Sequence, residues 1–186
     1  MKTKSKRFGF TLIELLVVLA ILGILMAMMI PAAGLVMKQM AKARAQSDAG
    51  IVATVLLKYQ AEYNRWPDVY KSVGEGKTDK IWVDMMAPAP ENWDKENNFK
   101  RIAFFEPGGG ALAPAKNPNG TANLQAGAFV DPWGEPFMFQ LDVAGTGEKP
   151  NPDQNEGGTV RARVLAWSAG PDNDFTTWED NVKGWE

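Results

Sequence analysis

Arg7-Phe8-Gly9-Phe10-Thr11-Leu12-Ile13-Glu14-Leu15-Leu16-Val17-Val18-Leu19-Ala20-Ile21-Leu22-Gly23-Ile24-Leu25 decides how the rest of the chain is read. A basic head runs into a small residue and then into a long apolar run. No residue from Leu15 to Met37 is charged. At about 1.5 Å per residue, a helix of that length crosses a hydrocarbon core about 30 Å thick. Glu14 is the anomaly. An acid at the bilayer centre costs roughly 2.5–3.5 kcal/mol on insertion scales, and less near the helix end. It is either a headgroup-level acid of no consequence or the partner of a buried positive charge from another chain. A new α-amino group, made by cutting before Phe10, is such a charge.

The full length of 186 residues suits one membrane segment and one modest domain. With no Cys there is no disulfide framework, and without Cys or His the usual zinc, haem and His-based catalytic sites are excluded. Any metal must be held by oxygen, which points to calcium or magnesium. The net charge of −2 is unevenly placed. Lys2, Lys4, Lys6 and Arg7 make the first nine residues +4, while residues 46–186 carry −8. The basic head favours a cytoplasmic amino terminus, and the acidic remainder is a poor match for nucleic-acid phosphates. A conventional signal peptide, cut near Ala32-Ala33-Gly34, is the competing reading. It leaves Glu14 and the Gly9-Phe10 junction unexplained.

Gly9-Phe10-Thr11-Leu12-Ile13-Glu14-Leu15 resembles the class III signal of type IV pilins and type II secretion pseudopilins. The resemblance implies that a prepilin peptidase cuts between Gly9 and Phe10 and methylates the Phe10 amine. It implies that Glu14 pairs with a neighbouring subunit's terminus during assembly. Pro31 falls at the family's recurrent helix proline. The expected organisation is a cleaved leader over 1–9, a membrane helix over 10–37, its amphipathic continuation over 38–64 and a periplasmic domain over 65–186.

Pro31 should bend or locally melt the helix. Beyond it, Val52, Val55, Leu56, Tyr59 and Tyr63 recur at helical spacing and predict a stripe packed on a sheet, with Asp48, Thr54, Lys58 and Glu62 off it. Pro67 should stop the helix near Tyr63, giving a rod roughly 80 Å long. Residues 68–128 are the least legible. Gly74-Glu75-Gly76-Lys77 reads as a loop, Ile81–Met86 as a short helix or strand, and Arg101–Phe105 as a short strand. Gly108-Gly109-Gly110 lacks the strand-to-helix context of a phosphate loop.

Asp131-Pro132-Trp133-Gly134 has the composition of a type I turn. Phe137, Phe139, Leu141 and Val143 alternate with polar neighbours as a half-buried strand. Thr159 to Ser168 reads as a second strand, antiparallel to the first. The Asp131–Gly134 turn and the Trp167-Ser168-Ala169-Gly170-Pro171-Asp172 tract resemble the major pseudopilin of type II secretion. That resemblance implies a calcium ion in the acidic loop 168–182, held by Asp172, Asp174 and Asp180 with backbone oxygens near Leu165 and Ser168. Read by composition alone, the tail is a solvated acidic segment with Asx turns.

Asp131, Asp142 and Glu106 could serve glycosidase chemistry only if two of them faced each other in a cleft, and nothing in the sequence groups them. The chain is therefore expected not to be an enzyme. Seven tryptophans are many for a small domain. Aromatic surfaces bind sugars or partners, but core and interface packing accounts for most such residues. The expected fold is α+β, type IV pilin-like: a long amino-terminal helix packed on a small antiparallel sheet. The expected role is a subunit of a helical homopolymer, the pseudopilus. Its partners would be prepilin peptidase, an inner-membrane assembly platform, minor pseudopilins and membrane lipid, with no nucleic acid. The alternatives are a type IV pilus pilin or minor pilin serving adhesion, motility or DNA uptake, and a membrane-anchored binding domain that does not polymerise.

Overall fold

The structure is a computed structural model describing residues 10–89 and 93–185, without the side chains of 28–33. The leader, including Gly9, lies outside the described residues. In chain order the elements are α1 (Leu12–Tyr63), α2 (Asp68–Lys71), β1 (Glu75–Lys77), α3 (Lys80–Met86), β2 (Met138–Leu141), β3 (Lys149–Pro150), β4 (Thr159–Val160), β5 (Val164–Ser168) and β6 (Val182–Lys183). The chain divides into two compact units between Met40 and Ala41.

In the first unit the helical backbone runs through Pro31 without interruption, so the local melting expected there does not occur. Among the described residues no helix is long and apolar enough to cross a membrane. The run expected to span one includes residues 28–33, whose side chains lie outside the described set.

In the second unit α1 buries the stripe that its periodicity specifies. Ala45, Ala49, Val52, Leu56 and Tyr59 are fully buried, and Tyr63 is half-buried. Asp48 departs from the expectation: it sits half-buried beside the stripe, 3.5 Å from Arg44. Burial pushes its carboxyl above the ordinary range, against the attraction of Arg44. The helix ends where expected, with Asn64 in the left-handed region at φ 53° and Pro67 just beyond.

The stripe packs on a four-stranded antiparallel sheet of order β1-β2-β5-β6. Phe139 lies opposite Ala166 and Leu141 opposite Val164, and all four join the helix stripe in one core. Four expectations need correction, the last of them in the segment after α3. Glu75–Lys77 is not loop but the edge strand β1, where Gly76 admits the rings of Tyr70 and Phe139: a Cβ there would lie 2.6 and 2.7 Å from them. The span from Thr159 to Ser168 is not one strand. It breaks into β4, which pairs with β3, and β5, with an Ala162 N–H to Val160 carbonyl bond bending the chain between. Val143 is 40% exposed, so the buried face of β2 ends at Leu141.

Arg101–Phe105 forms no strand. Phe104 and Phe105 donate their N–H groups to the Met86 carbonyl at the end of α3. Ile81–Met86 resolves as helix, capped by Asp79, which accepts from the Trp82 N–H at 3.0 Å. The middle segment is fastened to α1 by two asparagines that sequence reasoning overlooked. Tyr59 Oη donates to the Asn97 carbonyl at 2.6 Å, and Tyr63 Oη donates to Asn98 Oδ1 at 2.5 Å. Asn98 is fully buried; its Nδ2 donates to the Met85 and Ile102 carbonyls, and its Oδ1 also accepts from the Ile102 N–H. Removing this side chain strands buried donors and acceptors on three segments. Asn98→Ala should therefore lower unfolding free energy by about 2–4 kcal/mol, measured by urea denaturation of the full chain in micelles. A loss below about 0.5 kcal/mol would show that the junction bears no load.

Candidate assembly site

Phe10 is 78% exposed at the head of α1. Thr11 and Glu14 behind it form a reciprocal cap. The Thr11 N–H donates to Glu14 Oε2 at 2.8 Å, the Thr11 hydroxyl donates to the same oxygen at 2.7 Å, and the Glu14 N–H donates back to the hydroxyl at 3.4 Å. This is a Thr-x-x-Glu capping box, a spacing present in the sequence but overshadowed by the apolar run around it. It holds the carboxylate at the helix start and satisfies donors that the first turn leaves open. Both Thr11 bonds go to Oε2, so Oε1 has no partner among the described residues.

The large apolar side chains from Leu12 to Met26 are all 45–82% exposed and surround the helix on every side. A helix apolar all round needs an apolar environment, whether lipid or other helices. Pro31 lies farther along α1, its side chain outside the described residues.

In the second unit the structure brings together the two halves of the carboxyl-terminal signature. Asp131 is buried. Its Oδ1 accepts from the N–H groups of Trp133, Gly134 and Glu135 at 3.0, 2.8 and 3.0 Å, which closes the turn. Its Oδ2 accepts from the Ser168 hydroxyl at 2.5 Å, and that hydroxyl accepts the Gly170 N–H at 3.0 Å. Burial pushes the Asp131 carboxyl above the ordinary range, against the opposing pull of Ser168 and the three N–H groups. Gly170 has φ 72°, and a Cβ there would lie 2.4 Å from the Asp180 carbonyl oxygen. Only glycine lets the tail fold back this closely.

The tail carboxylates do not gather. Among the described residues no three acidic side chains converge as a group that could hold a metal ion. Asp172 accepts the Asp174 N–H at 2.9 Å and the Thr177 hydroxyl. Asp174 accepts the Thr176 N–H at 2.8 Å and the Thr176 hydroxyl at 2.7 Å, which hold its carboxyl below the ordinary range. Asp180 is half-buried, and Leu165 and Ser168 lie within β5. The donor set has the all-oxygen chemistry that calcium takes, but it is arranged as Asx turns rather than a cage.

The tail is fastened instead by a contact that sequence reasoning missed. Lys183 in β6 is buried, with Nζ 3.0 Å from Asp153 and paired also with Glu156. Burial alone would raise the Asp153 carboxyl, but Lys183 and the Asn155 and Glu156 N–H groups bring it below the ordinary range; Lys183 lowers that of Glu156 as well. Folded carboxyls lowered in this way add stability above the unfolded range near pH 4, and that stability is lost as pH falls through the folded values. Urea midpoints of the full chain in micelles should therefore drop less between pH 7 and pH 3 for Lys183→Met than for the wild type. An equal drop would remove the ion pair from the acid response.

Comparisons with known proteins find likeness at the amino terminus and along most of the chain. The Prokaryotic N-terminal methylation motif matches residues 4–30. The type II secretion system core protein G of Pseudomonas aeruginosa is 27% identical over 139 residues, 73% of this chain and 75% of that protein. The protein of the same name from Escherichia coli is 24% identical over 185 residues, 100% of this chain and 95% of that protein. No solved structure matches. The chain thus carries the methylation motif at one end, is similar to two secretion core proteins over 73% and 100% of its length, and has the long helix and small antiparallel sheet of a type IV pilin-like α+β fold.

Proposed function

We propose that this chain is the structural subunit of a periplasmic pseudopilus that drives type II protein secretion. Prepilin peptidase cuts between Gly9 and Phe10 and methylates the new amine. Residues 10–37 hold the subunit in the inner membrane with its amino terminus cytoplasmic and residues 65–186 periplasmic. The assembly platform then extracts it into a helical filament, and the apolar helices exchange lipid for one another. The supporting observation is the sleeve of exposed apolar side chains from Leu12 to Met26, which contains a capped Glu14 with one carboxylate oxygen unpartnered among the described residues. A neighbour's Phe10 amine inserted among such side chains is a buried charge that needs a counter-ion, and Oε1 of Glu14 supplies it.

Intact mass from membranes containing a prepilin peptidase should show loss of residues 1–9 and gain of one methyl group. Gly9→Leu should abolish the cut. Glu14→Ala should leave membrane insertion intact and reduce filament yield at least about tenfold, a loss of about 1.4 kcal/mol per subunit contact. Normal filament yield from Glu14→Ala would overturn the pairing.

Calcium at Asp172, Asp174 and Asp180 is part of the same reading, supported by the oxygen-only donors in one short tail. Calcium at 2 mM (roughly the range of extracellular modules) should raise the Tm of the full chain, and Asp174→Asn should abolish the rise. No change in Tm with calcium would end this part of the reading and leave filament assembly untouched.

A further inference from the structure

The sheet has a second face. Met138, Gln140 and Trp167 point away from the helix core, because their alternating neighbours Phe139, Leu141 and Ala166 fill it. This outer face is the wall of a groove of about 640 Å³, closed on its sides by the chain from Pro150 to Asn155 and by the tail from Phe175 to Trp178. Its volume lies in the range of small-ligand sites, about 300–1,000 Å³.

The lining is distinctive in chemistry. It contains no charged side chain. Phe175 and Trp178 supply aromatic surface, backed by the Trp167 indole 5.7 Å from that of Trp178 at an angle of 36°. Gln140, Gln154 and Asn155 supply primary amides, none of which has a side-chain hydrogen bond among the described residues. Trp167 is only 4% exposed, and its indole N–H also has no partner among the described residues. The three unpartnered amides are therefore the polar groups that the lining leaves open.

The geometry points to a binding site for a neutral oligosaccharide. Pyranose rings present apolar C–H faces that suit aromatic surfaces, and hydroxyls that both donate and accept, as primary amides do. The lining itself offers charged ligands no counter-ion, and Lys77 beside it is engaged 4.9 Å over the Phe175 ring. The lining includes neither Phe10 nor Glu14, and the proposal does not depend on filament assembly.

The test is isothermal titration of the full chain in dodecylphosphocholine micelles, a detergent without a sugar headgroup. The probes are the tetramers of N-acetylglucosamine, glucose-β-1,4 and glucose-α-1,4. At least one tetramer should bind saturably, and Gln140→Ala and Trp178→Ala should each weaken that binding about tenfold or more. Gln140→Ala removes a half-exposed amide with no partner, so an unchanged near-UV circular dichroism spectrum separates lost binding from lost folding. Absence of saturable binding by all three tetramers up to about 10 mM, a weak affinity of about −3 kcal/mol, would overturn the proposal. So would binding that both variants leave unchanged. Efficient Gln154→Cys cross-linking between two copies, with no sugar bound, would assign the groove to a subunit contact instead.

Discussion

Ala49 of the helix, Ala166 of β5 and Gly184 after β6 meet at one point, and the carboxyl-terminal unit depends on that approach. A Cβ on Gly184 would lie 2.8 Å from the Ala49 Cβ and 2.9 Å from the Ala166 carbonyl oxygen, so no side chain fits. The Gly184 N–H donates to that carbonyl at 2.9 Å. Three small residues thus let helix, sheet and tail approach each other closely. Dense interiors leave little slack for even one extra methyl group. The larger residues Val52, Leu56, Tyr59, Phe139 and Leu141 complete the core.

A second constraint acts through polar groups. Asp131 collects three backbone N–H groups and one hydroxyl, and thereby links the turn before β2 to the end of β5. Asn98 does the same for the middle segment, and Asp142 for the loop after β2, where it accepts the N–H groups of Thr146 and Gly147. Buried side chains whose hydrogen bonds are all met fix one arrangement of loops that burial alone leaves degenerate. That explains how a domain with two helices and six short strands outside α1 holds a defined form.

The tail is held by three different kinds of contact: the β6 pairing, the Lys183 ion pair and the close fold-back at Gly170. Its aspartates serve the local turns. The same fold-back places Phe175 and Trp178 beside the outer sheet face, so one set of contacts both secures the terminus and forms the groove.

Sequence by itself determined the long helix, its end near Tyr63, the apolar sleeve and the antiparallel pairing of β2 with β5. Each of these is a local or periodic property: hydrophobic spacing, a proline, a run without charge. The Thr11–Glu14 cap was equally local, legible in its i, i+3 spacing. Tertiary structure decided what periodicity cannot carry. Glu75–Lys77 is a strand because β2 offers an edge and Gly76 leaves room for two rings. Arg101–Phe105 is not one, because Met86 takes its N–H groups first. Asp131 meets Ser168, and Lys183 meets Asp153, across 37 and 30 residues of chain. Such partners are chosen by where the backbone brings them, and a spacing of that length carries no physical signal in the sequence.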